Sequence, residues 1–258
     1  MKIQYASDLH LEFADNWRYL KAHPLEVTGD ILLLAGDIGY LGDDNYSKHP
    51  FWDWASENYK EVHCCMGNHE FYKYYDVATL PDGYLLEIRP DVFSHYNGIV
   101  RIGDTDIILS TLWSRIPLED AYFTEQVISD FRRILYKGEL MTHAQFNAEH
   151  ERCFTFIKEA VERLRGEGWT FTYMGANQDS EEVAMKLSIR NSRNFAYSHE
   201  GTRASMGKDT STRMNFFSRL SCMKMQEADG CAAPMSAEER HNLYTSMADE
   251  AFDEEEGK

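Results

Sequence analysis

The chain has 258 residues, 43% of them apolar, with 14 Phe, 15 Tyr and 5 Trp, which is enough for a sizeable core in one large or two smaller domains. Its 43 acidic and 26 basic residues leave a formal charge of −17, a field that repels polyanions and disfavours long nucleic acids as partners. Five cysteines, an odd number without Cys-x-x-Cys spacing, argue for free thiols in a reducing compartment rather than a disulfide framework.

In chain order, Lys2 to Ala6, Ile31 to Ala35 and Val62 to Met66 are short apolar runs of the kind that form buried strands. Each stops at a polar block: Ser7-Asp8-Leu9-His10, Gly36-Asp37 and Gly67-Asn68-His69-Glu70. Asn45 to Glu61, aromatic-rich, has helical length. Val92 to His95, Ile99 to Ile102 and Asp106 to Thr111 are separated by Asn97-Gly98 and Gly103-Asp104, which predicts a small antiparallel meander. Pro117 to Tyr136 and Thr142 to Arg165 read as two long helices. The second carries Phe146, His150, Cys153, Phe154, Ile157, Val161 and Leu164 as one stripe at helical spacing.

Beyond Gly166 the register changes. Trp169 to Met174 alternates like a strand, and Ser180 is placed to cap a helix through Leu187. Asn191 to Lys208 is polar, Thr210 to Ala228 is Met-rich and amphipathic, and Ser236 is placed to cap a last helix through Ala251. An acidic tail, Asp249 to Glu256, closes the chain. No apolar run approaches the ~20 residues of a membrane span, and the opening residues read as a strand rather than a leader. The expectation is a cytoplasmic protein without membrane contact, with protein partners undefined.

The three polar blocks carry the chemistry. Asp8 and His10, two apart on a strand, would point to one face and meet the same cation. Asp37 follows a glycine that lets the backbone turn sharply, and its two oxygens can bridge two cations. Asn68 offers a neutral carbonyl oxygen, and His69 is placed to approach a substrate oxygen. Mixed nitrogen and oxygen donors suit Mn, Fe, Zn or Ni rather than Ca.

Residues 1 to about 158 resemble the calcineurin-like metallophosphoesterases, on Asp8-Leu9-His10, Gly36-Asp37 and Gly67-Asn68-His69-Glu70, with 26 residues between His10 and Asp37 and 30 between Asp37 and Asn68. Leu112-Trp113-Ser114, Ser129-Asp130-Phe131-Arg132 and the stretch from His143 to His150 are similar to a bacterial and phage branch of that family. The resemblance implies an α/β (α+β) fold, an incomplete four-layer αββα sandwich. It also implies divalent metal ions, two in the complete family and one or two here, and a phosphate-ester substrate. Asp8 and His10 would hold the first metal, Asp37 would bridge, Asn68 would bind the second, and His69 would be catalytic. The family completes its site with later histidines, including a Gly-His-x-His block, and no Gly-His, His-His or His-x-His occurs here. His143 and His150 read as packing residues, which leaves His199 as a candidate replacement ligand.

Residues from about Phe156 to Met206, with Gly175-Ala176-Asn177 and Asn194-Phe195, resemble the closing strand–helix part of von Willebrand factor A-like domains. The expected organisation is therefore 1–158, the front of a phosphoesterase, and 159–258, a short strand–helix segment from a different α/β domain with an acidic tail. Asp209 or Ser211 reads as a helix cap rather than a metal ligand. The alternative to a phosphoesterase is a non-catalytic binding or structural chimera with relic metal motifs.

Overall fold

The computed structural model describes residues 1–103, 105–166, 173–176, 192–195, 199–228 and 233–253. It divides into two compact units, Met1–Ile157 and Lys158–Lys258.

The first unit is built on a five-stranded sheet. Its strands are β1 (Ile3–Ala6), β2 (Ile31–Leu34), β3 (Glu61–Cys65), β5 (Tyr84–Arg89) and β6 (Val92–Tyr96), in the order β1-β2-β3-β6-β5. The first four run parallel and β5 is antiparallel to β6. Buried parallel strands read as continuous apolar runs, which is why Ile-Leu-Leu-Leu and Val-His-Cys-Cys were legible as strands. Leu32, Leu34, Val62 and Cys64 join Phe51, Trp52 and Ala55 of helix α2 (Pro50–Asn58) in one core cluster. A second cluster gathers Met66, Phe71, Tyr72, Tyr96, Trp113, Phe131, Ile134, Phe146 and Cys153. Helix α1 (Ala14–Ala22), which precedes β2 and has no buried residue, was not among the expected elements. Helix α2 is shorter than the aromatic stretch suggested. Pro50 occupies its first turn, and the His49 side chain accepts the Phe51 N–H at 3.2 Å, so the helix starts there rather than at Asn45.

Two expectations need correction. The meander does not form, because β6 lies in the main sheet between β3 and β5, while β7 (Gly98–Ile102) and β8 (Thr105–Leu109) pair only as a hairpin. The strand β5, hidden in a mixed polar segment, takes the partner position that sequence assigned to β7. Pro117 to Tyr136 is not one helix either. It contains α3 (Ala121–Val127), flanked by 3₁₀ turns, and then β9 (Ile134–Tyr136), which pairs with β4 (Tyr75–Asp76) and β10 (Glu139–Leu140). Helix α4 (His143–Gly166) matches its expectation, with Phe146, Cys153, Val161 and Leu164 buried. Two side chains fasten it: His143 Nδ1 pairs with Glu125, and the His150 ring bonds the Trp113 carbonyl.

In the second unit, β11 (Tyr173–Ala176) and β12 (Ser192–Phe195) form a parallel pair. The predicted Ser180 helix and residues 169–172 lie outside the described residues. Helix α5 runs His199–Ala228, so His199 opens a helix rather than sitting in a loop. Asp209 and Ser211 are interior to that helix, and neither caps it. Helix α6 (Ala237–Asp253) does begin as read. Ser236 Oγ accepts the Glu239 N–H at 3.2 Å, while Glu239 accepts the Ser236 N–H at 2.8 Å, a reciprocal capping box. No described helix is long and apolar enough to cross a membrane.

A buried imidazole pair in the main sheet gives the fold an acid sensitivity. His95 lies 3.0 Å from His63, whose other ring nitrogen faces Glu61 at 3.1 Å. Burial, with the neighbouring His63, holds the His95 pKa down at about 4. The unfolded chain would protonate it near ~6.5, so its contribution is full above that pH and is lost as pH falls toward about 4. The difference amounts to about 3 kcal/mol. Urea unfolding across this range should show a steeper acid loss in the wild type than in His95→Gln. Parallel profiles would assign the acid sensitivity elsewhere.

Candidate metal centre

The site lies where β1, β2 and β3 end. Asp8 and His10 follow β1, but not as alternating strand residues. Asp8, His10 and Asp37 all take left-handed backbone, with φ of 55°, 46° and 58°. Side chains at such φ are uncommon and persist only where surrounding contacts hold them. Here the contacts are backbone bonds between the two loops: Asp8 N–H to the Gly36 carbonyl at 3.1 Å, His10 N–H to Asp37 at 2.9 Å and Leu11 N–H to Ile38 at 2.8 Å. Asp8 and His10 therefore reach one site through a tight, laced turn rather than through strand alternation.

Two glycines make the second and third loops compatible. Gly36 has φ of +88°, and a Cβ there would lie 2.8 Å from the Gly67 backbone. A Cβ on Gly67 would sit 2.2 Å from Asp37 Oδ1. The loops touch backbone to backbone, which only glycine permits.

Glu70 locks this arrangement. It is fully buried, one oxygen accepting the N–H groups of Ile38 at 2.7 Å and Gly39 at 3.3 Å. Its other oxygen accepts those of Asp37 at 2.9 Å and Gly67 at 2.7 Å. Burial, together with the charge of Asp37, pushes its carboxyl up to about 7, against backbone N–H groups that favour the ionised form.

Of the five residues expected at the site, the structure brings ligand atoms of Asp8, His10 and Asp37 within 4.8 Å of one another. His69 lies beside them, its ring 4.4 Å from that of His10 and its backbone N–H 3.0 Å from Asp37 Oδ1. The Asn68 amide nitrogen donates to Asp130 at 2.9 Å. Asp130 also accepts the Tyr72 hydroxyl at 2.7 Å.

Three participants escaped the sequence reading. Glu70 stood in the third block without a role, and Asp130 in a resembling stretch without one. Glu12 was not singled out at all. One oxygen of its buried carboxylate lies 3.2 Å from His10 Nδ1 and 2.9 Å from His69 Nδ1. The only sequence signal for it was its spacing, two residues past His10.

The electrostatics describe a site that accepts positive charge. Burial raises the Asp37 carboxyl, and repulsion from Asp8 adds to it. For Glu12, burial pulls upward but is outweighed by the hydrogen bonds from His69 and His10, so its carboxyl falls below the usual value. Burial would lower His69, yet the Glu12 hydrogen bond and the charge of Asp37 leave it raised. Two convergent carboxylates and an imidazole, all three carried on left-handed backbone in laced loops, are a donor set that fits a divalent metal ion.

A model of the calcineurin-like phosphoesterases matches residues 1–173. Among curated proteins, an uncharacterized protein of Acanthamoeba polyphaga mimivirus is 28% identical over 148 residues, covering 51% of each chain. The chain thus spans about half the length of the curated relative it matches. Among solved structures, a phosphopantetheinyl hydrolase from Mycobacterium tuberculosis aligns with a TM-score of 0.42 and 16% identity, over 74% of this chain and 75% of that one.

Removing the Glu70 clamp should be costly. Glu70→Ala leaves buried N–H groups without an acceptor and is expected to lose more than ~3 kcal/mol of unfolding free energy, whereas Glu70→Gln, which keeps one acceptor oxygen, should lose roughly half as much. A loss under ~0.5 kcal/mol in the alanine variant would show that the clamp does not hold the loops.

Proposed function

The chain belongs to the calcineurin-like phosphoesterase family, and from that premise we propose that it is a metal-dependent hydrolase of phosphate esters. The observation that carries the reading is convergence: residues from three separate polar blocks meet at the ends of β1, β2 and β3. Relic motifs under no common constraint would have no reason to keep three non-glycine residues in left-handed backbone around one point.

In this reading Asp8, His10 and Asp37 hold one metal, and Asp37 with the Asn68 carbonyl oxygen offers donors to a second. The metal, when bound, supplies Lewis acidity toward the phosphoryl oxygens and acidifies water for attack. The chain's own residues do the rest. Asp37 draws the two loops and the His69 backbone into one frame. Asp130 engages the Asn68 amide nitrogen, which would leave its oxygen free for the centre. His69, with Nδ1 engaged by Glu12 and its pKa raised, can carry a second proton on Nε2 and give it to the departing ester oxygen. In its charged form the same ring stabilises the negative charge that develops on the phosphoryl group.

The net charge of −17 weighs against long polyanionic substrates, which leaves small phosphate esters as the favoured class. The metals this donor set suits are Mn, Fe, Zn or Ni.

The purified chain, prepared without chelators and supplied with Mn²⁺, should hydrolyse an aryl phosphate or phosphodiester. Asp37→Ala should abolish both metal uptake and turnover, while His69→Ala should keep the metal and lose ~10²-fold or more in kcat. Metal analysis showing no bound divalent ion, with no turnover, would sink the proposal.

A further inference from the structure

We infer that Glu12 is a positioning residue that sets the tautomers of His10 and His69 together, through one carboxylate oxygen. Neither ring nitrogen pattern follows from the motifs. It follows from geometry: Glu12 Oε1 lies 3.2 Å from His10 Nδ1 and 2.9 Å from His69 Nδ1. An ionised carboxylate oxygen only accepts hydrogen bonds, so both Nδ1 atoms must be donors. In each neutral ring that leaves Nε2 without a proton. For His10 this is the nitrogen that faces Asp8, 4.0 Å from its Oδ1, and a metal requires an unprotonated nitrogen. For His69 it is the nitrogen left free to take and release a proton.

The free imidazole in water prefers the opposite tautomer, with the proton on Nε2, so both rings need an outside acceptor to hold Nδ1–H. The two rings lie with centroids 4.4 Å apart, at 64° to one another, and Asp8 faces the other nitrogen of His10, so it does not accept from Nδ1. One buried acceptor serves both. The Glu12 side chain is 4% exposed, so water does not compete for Oε1. The hydrogen bonds from the two imidazoles, with that of its own backbone N–H, hold this buried carboxylate below its usual range.

The coupling has a consequence for function. Loss of Glu12 removes the metal-facing lone pair of His10 and the proton-transfer geometry of His69 in one step. This rests on the phosphoesterase reading only for what the two imidazoles do afterwards; the tautomers belong to the chain by itself.

The test is imidazole ¹⁵N NMR of the metal-free chain, above the imidazole titration range, paired with Mn²⁺ titration. In the wild type both His10 and His69 should be in the Nδ1–H form. Glu12→Gln keeps an acceptor oxygen, so both tautomers should persist and Mn²⁺ affinity should stay within a few-fold. Glu12→Ala should return both rings toward Nε2–H and weaken Mn²⁺ about 10–100-fold. Wild-type rings in the Nε2–H form would overturn the inference outright, whether or not any variant folds. So would Glu12→Ala with unchanged tautomers. Equal Mn²⁺ loss in Glu12→Gln and Glu12→Ala with tautomers retained in the glutamine variant would also overturn it, making Glu12 a direct ligand. Wild-type Nδ1–H tautomers in a chain that never turns over a phosphate ester would leave this inference standing and remove the phosphoesterase one.

Discussion

The buried carboxylate of Glu70 is the constraint on which the rest of the site depends. Parallel strands end in loops whose N–H groups have no ladder partner, and a loop pressed into the interior must find acceptors for them. Glu70 supplies them for four residues in two loops at once, and the glycines at 36 and 67 let those loops approach closely enough to share it. With Asp37 fixed in this way, its own carbonyl receives the His10 N–H, and the first loop is carried into place. The order of dependence runs from Glu70 to Asp37 to His10, from a group that touches no substrate to one that would hold the metal.

The electrostatic cost of such a site explains its composition. Asp8, Glu12, Asp37 and Glu70 crowd one end of the sheet, and mutual repulsion and burial raise Asp37 and Glu70. Glu12 escapes this because two imidazoles point at it, and its carboxyl is lowered rather than raised. The acidic groups thus divide by partner. Glu70 takes backbone N–H groups and Glu12 two imidazoles, while Asp8 and Asp37 are the carboxylates that the proposed cation would use.

The sheet and the motif residues were legible in the sequence because buried parallel strands are apolar without alternation and because strand ends carry abrupt polar blocks. Long-range pairing was not. Nothing local distinguishes β6 as the neighbour of β3 rather than of β7, since that choice depends on β5, whose Tyr-Leu-Leu-Glu-Ile-Arg pattern is half exposed. Pro117 to Tyr136 failed for a related reason. Its helical spacing is real over Ala121–Val127, but Leu118, Tyr122 and Phe123 are exposed, so no core contact extends the helix. In the site, ligand types at strand ends were visible, whereas the supporting acids were not. Glu12, Glu70 and Asp130 act across 57, 33 and 62 residues of sequence, on His69, Asp37 and Asn68 respectively.

The later histidines typical of the resemblance do not occur as a motif in this chain, and the structure shows what that leaves intact. Asp8, His10, Glu12, Asp37, Asn68, His69 and Glu70 all come from the first 70 residues. Their mutual contacts run through β1, β2, β3 and the loops that follow them. Support from outside comes from Asp130, which holds Asn68 and lies within the same compact unit. A donor set organised in this way does not need the missing motif for its own geometry. In the proposed centre a first metal would rest on Asp8, His10 and Asp37, all fastened by backbone bonds between neighbouring loops. A second would rest on Asp37 and Asn68 with fewer donors and would be held more weakly. Without a later histidine motif the two proposed positions would therefore fare unequally. Occupancy of the second would fall before the first is disturbed.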